Sequence, residues 1–478
     1  MPFDENIKGD PFRGDYAGRA GHEQWDDLEW QLRRQTVELA QRRFAPAIRH
    51  QLTQLQQRRR QPVAGGQGAA GDQAGGATQF EILPTGTGPA LLLASGEILI
   101  TGRDYDGRWP VDGEPPDRTA KAFLDELRLT EAELECRALE GRVVRLTHDE
   151  MTPEELSDVV QALQARGFDA SLSNIMPTGP VAKAIGGPLP VGSPGRYEAD
   201  PDPGPGPAAR VAVVDTGIAA EVRADGWLND VRRDEGDIDP LRAFPVSEPD
   251  DPLDLDAGHG TFVSGIIQQV ARGAQISVYR AVDSDGIASE VKVACEMIRA
   301  VRDDGAEIIN LSLGCQTSDN GPPIAIQAAL DIIGELERDQ DREVVIVAAA
   351  GNYGDSAPCW PGAFRRVVSV AALAPDLLPA AWSSRGFWVN CSTIGEGLSS
   401  TYVEGTESVL VDPDQHHFGP DAWAVWSGTS FAVPQIVGAI AQLRQKKGWE
   451  PREALVKLLS AGRPRPGFGQ ALKILPGI

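Results

Sequence analysis

From Arg210 to about Gly462 the chain repeats one pattern: short continuous apolar runs alternate with amphipathic stretches. The runs are VAVV (211–214), ISVYRAV (276–282), EIINLSL (307–313), VVIVAAA (344–350) and VVSVAAL (367–373). A strand that is apolar throughout needs cover on both faces, which is the setting of a parallel sheet. The intervening stretches, such as Glu290–Asp303 and Ile324–Arg338, read as helices. Such alternation predicts an α/β fold, a doubly wound, mostly parallel sheet with helices on both faces. No internal repeat is present.

The N-terminal half has a different texture. Residues 1–22 are polar and Gly-rich. Over 23–60, Phe44, Ile48, Leu52 and Leu55 recur at helical spacing on one face, with Pro46 as an interruption and the basic residues 58–60 near the end. This face suits packing or the docking of a partner protein. GGQGAAGDQAGGATQ (64–78) is a flexible linker by composition. ALLLASGEILITG (90–102) predicts two strands about a Ser-Gly turn, and Ala120–Leu129 a helix. RVVRL (142–146) predicts a strand. Thr152, with Pro153 after it and Glu155 at the third helical position, has the spacing of a capping box. That helix is expected to stop at Gly167, before a strand at Asp169–Ser173. The predicted organisation is a tail and helical region (1–63), a linker (64–78), a small α+β domain (79–185), a Pro/Gly-rich linker (186–209) and the large α/β domain (210–478).

Charge and composition narrow the function. A formal net charge of −24 argues against a nucleic-acid partner. No apolar stretch reaches the length of a membrane span. The first residues do not read as a signal peptide. The cysteines, Cys136, Cys295, Cys315, Cys359 and Cys391, are scattered and odd in number, unlike a disulfide framework. Together these point to a cytoplasmic setting.

Four residues stand where an α/β sheet gathers its chemistry, just beyond strand ends or at helix starts. Asp215 follows VAVV. His259 lies between glycines before an apolar helix. Ser430 stands at the start of the helix that begins in WSGTSFAVP, with Pro434 allowed near its first turn. Asn352 ends VVIVAAAGN and carries an amide that can donate to an oxyanion. Taken singly, each also fits a cap or a turn.

Their order, Asp then His then Ser, is that of subtilisin. VAVVDTGI (211–218), GHGTFVSGII (258–267), NLSLG (310–314), AAAGN (348–352) and SGTSFAVPQIVGAIA (427–441) together resemble the subtilases, the subtilisin-like serine peptidases, over about 210–462. The resemblance implies a serine endopeptidase acting through an acyl-enzyme. Ser430 would be the nucleophile, His259 its base, Asp215 the group that orients the base, and Asn352 an oxyanion donor. Ser312, Leu313 and Gly314 would pair with an extended peptide or protein substrate. Ala349, Ala350 and Gly351 would wall the primary specificity pocket, and Asp283–Ser289 would form the outer edge that meets substrate residues further from the cut. The β-α-β unit at 142–173 resembles part of a subtilase propeptide.

The sequence also departs from the family. Cys315 follows the SLG segment, either as a small apolar filler or as a thiol near the cleft. The stretch from Cys391 to Trp426 lacks the usual A-P-G and reads as an inserted hairpin or loop carrying His416 and His417. Asp250, Asp251, Asp254 and Asp256 crowd toward His259, which suggests a preference for basic residues near the cut. No cofactor or metal is assigned, though clustered carboxylates leave calcium open. Two other functions remain: a catalytically silent peptide-binding scaffold, and a processing protease or effector dedicated to one partner.

Overall fold

The computed structural model describes residues 35, 52–57, 59, 78–83, 91–107, 118–178, 187–243, 252–409 and 415–477. The polar tail, Phe44, Ile48, Pro46, nearly all of the first linker, Asp250 and Asp251 lie outside the described residues.

Every apolar run becomes a strand of one eight-stranded sheet. Its order is Arg463–Arg465, Gly469–Ala471, Cys391–Ile394, Val367–Leu373, Val345–Ala349, Ile308–Leu311, Arg210–Asp215, Gln275–Arg280. All neighbours are parallel except the first pair. One face is covered by the helices His259–Val270 and Thr429–Lys447, the other by Glu290–Arg302 and Ile324–Gln340. Parallel strands joined by crossover helices and buried on both faces must be apolar on both, so the five sequence runs are unbroken. The chain leaves Arg210–Asp215 to one side first, for Gln275–Arg280, and then to the other, for Ile308–Leu311. Asp215 therefore stands at a switch point, where the sheet opens a crevice.

The N-terminal domain is a five-stranded sheet backed by the helix Pro153–Gln164. That helix starts as expected: Thr152 Oγ1 accepts the Glu155 N–H and the Glu155 carboxylate accepts the Thr152 N–H. The hairpin expected over 90–102 is not formed. Leu91–Thr101 is one strand, pairing with Phe80–Leu83, Val143–Thr147 and Ala170–Asn174. Gly96, at φ +69°, sits at an irregularity where the register to Ala170–Asn174 shifts between Leu93 and Ile98. A side chain there would meet the His148 carbonyl oxygen at 2.6 Å. Ser-Gly thus marks a bulge rather than a turn.

Other expectations need correction. Pro434 lies beyond the first turn of its helix. Its missing N–H frees the Ser430 carbonyl, which instead accepts the Ser312 hydroxyl at 2.7 Å. Cys136 and Cys295 form a disulfide between the N-terminal domain and the Glu290–Arg302 helix, across 159 residues of sequence. Scattered cysteines gave no sign of it, because the pairing depends on how two domains dock. Cys315, Cys359 and Cys391 are free and buried. Residues 52–57 and 59 are helical, and Leu55 packs with Phe80, Ile175, Leu255 and Ile287. The described part of the expected partner-docking face is therefore covered by the chain itself. In the stretch before Ser430, Leu398–Thr401 pairs antiparallel with Trp423–Trp426, which also pairs with Leu189–Val191.

Candidate active site

Asp215 ends its strand fully buried, and His259 opens its helix at 2% exposure. His259 Nδ1 lies 2.7 Å from Asp215 Oδ1, which also accepts the Thr216 N–H at 2.8 Å. The imidazole is packed by Trp426, edge-on at 5.5 Å between ring centroids, and by Phe431 at 5.3 Å. The ring is thus held by one carboxylate and two aromatic walls. Burial alone would lower the His259 pKa. The charge and hydrogen bond of Asp215, with the nearby charges of Asp256 and Asp239, outweigh burial and raise it. A base must be neutral to accept a proton, so the acid limb of hydrolysis is expected above the pH of an ordinary histidine. Asp256→Asn removes one of the three raising charges, so that limb should move to lower pH. A profile of kcat/KM against pH checks this; an unmoved limb would contradict the coupling.

Ser430 is in the first turn of its helix, where its N–H finds no acceptor among the described residues. Its Oγ lies 3.1 Å from the Ser312 carbonyl oxygen and 3.3 Å from the Thr178 carbonyl oxygen. No hydrogen bond joins it to His259. Asn352 is oriented by its own acceptor: Oδ1 takes the Thr429 N–H at 3.0 Å and the Thr429 hydroxyl at 2.8 Å. Its Nδ2 therefore faces away from Thr429 and donates to no described residue.

The sequence assigned an edge and a wall to the cleft. The chain's own residues 175–178 lie between the Ser312–Gly314 edge and the outer edge at Asp283–Ser289. Ile175 bridges Ser289 in antiparallel sense. Met176 N–H donates to Ala288 O at 2.8 Å, and Thr178 N–H to Gly286 O at 3.2 Å. On the other side Gly314 N–H donates to Pro177 O at 3.1 Å. This segment is an added strand between two edges, the geometry of β-augmentation. Leu313 is buried behind Gly314. Of the expected wall, Ala350 and Gly351 pack beside Cys359 and Tyr353, while Ala349 is buried in the main core. A Cβ on Gly351 would lie 2.9 Å from Cys359 Sγ and 3.0 Å from the Tyr353 ring, so little space is left there. Cys315 is the filler rather than a reactive thiol, since burial holds its pKa well above the ordinary value.

The segment is anchored upstream as well. Asn174 N–H and Nδ2 donate to Glu290 Oε1 at 2.9 and 2.8 Å, while Ala325 N–H donates to Oε2 at 3.0 Å. Burial raises the Glu290 carboxyl to about 7, against the lowering effect of these bonds. Sequence reasoning did not find Asn174, Glu290 or the Ile175–Thr178 segment. The only trace was the propeptide-like β-α-β unit just upstream.

Among the described residues no group of three or more His, Cys, Asp or Glu is placed to hold a metal ion. His417 Nδ1 contacts Thr406 Oγ1 at 3.1 Å, and His416 N–H donates to Glu407. No helix of the described residues is long and apolar enough to cross a membrane.

The doubly wound sheet carries Asp215, His259 and Ser430 in that chain order, the first two in contact and the third in the first turn of a helix. The sequence model of the subtilase family matches residues 206–461, and the chain belongs to that family. It is 30% identical over 244 residues to the thermophilic serine proteinase of Bacillus sp. (strain AK1), covering 49% of this chain and 51% of the relative. It is 27% identical over 251 residues to thermitase of Thermoactinomyces vulgaris, covering 49% of this chain and 74% of thermitase. The match thus spans about half the length of the Bacillus proteinase. The crystal structure of fervidolysin from Fervidobacterium pennivorans superposes with a TM-score of 0.50 at 22% identity, covering 80% of this chain and 60% of fervidolysin. At that identity the superposition speaks for the fold alone.

Proposed function

We propose that this chain is a serine endopeptidase acting through an acyl-enzyme, with Ser430, His259 and Asp215 as its triad, held latent by its own N-terminal domain. The observation that carries this is the Ile175–Thr178 segment. It is bound as an added strand, with the Thr178 carbonyl 3.3 Å from Ser430 Oγ. A cleft that binds an extended main chain on both sides, against a serine at a helix N-terminus, is built for a peptide carbonyl.

In this reading Ser430 Oγ attacks the carbonyl carbon of a substrate peptide bond while His259 Nε2 takes its proton. Asp215 fixes the tautomer through Nδ1 and stabilises the imidazolium. The Asn352 amide and the Ser430 N–H receive the oxyanion, aided by the field of the helix N-terminus. His259 then returns the proton to the leaving amine, and water releases the acyl group by the same steps in reverse. The domain expected at 79–185 acts as a propeptide-like unit, and substrate enters only when its Ile175–Thr178 segment leaves. A disulfide persists in oxidising compartments, which weighs against the cytoplasmic setting expected from the sequence.

The test is the intact mass of wild type and Ser430→Ala after exposure to a fluorophosphonate. One adduct on wild type alone is expected, accumulating as the segment opens. After reduction of the Cys136–Cys295 disulfide, a Ser430-dependent loss of mass would map a cut in the N-terminal half. Equal adducts on both proteins, or none on either, would refute the assignment and favour the silent scaffold.

A further inference from the structure

Four acidic residues precede His259, and the two that the structure describes differ sharply. Asp254 turns inward: its Oδ2 accepts the Ala243 N–H and the Ser284 hydroxyl, both at 2.6 Å. Further back, Asp239 Oδ2 holds the Thr216 hydroxyl and the Gly258 N–H, each at 2.8 Å, and Oδ1 holds the Leu241 N–H at 3.0 Å. These carboxylates are satisfied by the fold. Asp256 is not. It is 2% exposed, and among the described residues the donor to its side chain is the hydroxyl of Thr178, a residue of the segment in the cleft.

We propose that Asp256 is the specificity-determining residue of the cleft position that Thr178 fills, selecting a side chain that donates a hydrogen bond, a hydroxyl or a cation. This rests on the peptidase reading above. The main chain of Thr178 is held as a substrate's would be, by Gly286 O on its N–H and by Ser430 Oγ near its carbonyl. Its side chain is then directed by the register, not by choice, onto Asp256. Gly286 closes the position: a Cβ there would overlap Asp256 Oδ2 and lie 2.7 Å from Thr178 Oγ1. The space is therefore narrow, with a single acceptor group inside it.

When the segment leaves, a buried carboxylate loses its donor. An incoming serine or threonine restores the bond. An incoming lysine or arginine restores it with charge, beside the further negative charges of Asp215 and Asp239. An incoming valine of the same shape leaves Asp256 unpaired, and a site built to bond a donor discriminates strongly against an analogue that lacks it. The preference for basic residues expected from the acidic loop is thereby narrowed to one carboxylate and widened to include hydroxyls.

The full chain supplies its own assay, because the rate of fluorophosphonate labelling of Ser430 reports how often the segment leaves. Thr178→Val should label about tenfold or more faster than wild type, and Thr178→Ser within about threefold of it. Thr178→Lys should label no faster than wild type, and adding Asp256→Asn should speed the Lys variant about tenfold. On the Thr178→Val chain, Ile-Met-Pro-Xaa amides added in trans should protect Ser430 better with Thr or Lys at the last place than with Val. Wild-type labelling of Thr178→Val, or indifference of Thr178→Lys to Asp256→Asn, would overturn the role of Asp256. If the Val variant unfolds by its thermal midpoint, the Lys pair decides. No labelling of any variant would instead refute the peptidase reading, and this inference with it.

Discussion

Replacing His259 with alanine is expected to lower kcat/KM for peptide hydrolysis by on the order of a millionfold, because triad members act as a unit. The size follows from what else could accept the proton. Around Ser430 Oγ the structure offers two carbonyl oxygens, of Ser312 and Thr178, and neither is a useful base. Asp215 cannot substitute, since it is fully buried behind the imidazole and bonded to the Thr216 N–H. The imidazole also packs against Trp426 and Phe431, so its loss leaves a small cavity. That should lower the unfolding temperature without preventing folding. Kinetics and a thermal scan on one preparation separate the two effects. A folded variant that keeps more than a hundredth of wild-type activity would sink the assignment of the base.

Asn352→Ala should reduce kcat about 100–1,000-fold and leave KM nearly unchanged. Thr429 holds the amide oxygen from two sides, so the amide nitrogen is presented without reorganisation. The bond it makes belongs to the tetrahedral stage, where the carbonyl oxygen gains charge, and much less to the bound substrate. Asn352→Asp is the sharper variant. It keeps the acceptor for Thr429 but puts a negative charge where another must develop, so it should be at least as damaged as the alanine. An effect confined to KM in either protein would mean that Asn352 binds substrate and does not serve the oxyanion.

These two expectations come from parts of the molecule that were legible in the sequence. Strands such as Val367–Leu373 could be read with their ends, because a covered parallel strand is apolar at every position. Thr152 and Glu155 announced their helix because capping is a local exchange of hydrogen bonds. Asp215, His259, Ser430 and Asn352 were singled out because each stands at the end of such an element and because their order and motifs resemble those of the subtilases. What depends on docking was not legible. Ile175–Thr178 has neither periodicity nor length enough to read as a strand, and its partners in the cleft, Gly286, Ala288, Ser289 and Gly314, are more than a hundred residues away. Ser95-Gly96 was misread for a related reason. A glycine with positive φ serves a turn or a bulge equally, and only the neighbouring strand decides. Asp256 was seen as one of four acids, and its distinction lies in the partners the others have found.

The bond between Cys136 and Cys295 makes the chain between them a closed loop, and Asp215, His259 and the cleft segment all lie on it. A cut anywhere on this loop opens the ring but divides nothing: two polypeptides would still travel as one particle. The severed N-terminal domain would then compete with substrate at the effective concentration of a tethered ligand, on the order of millimolar for a short link. Dilution could not free the enzyme. Reduction could, because it alone turns the re-docking of that domain into an encounter between separate molecules.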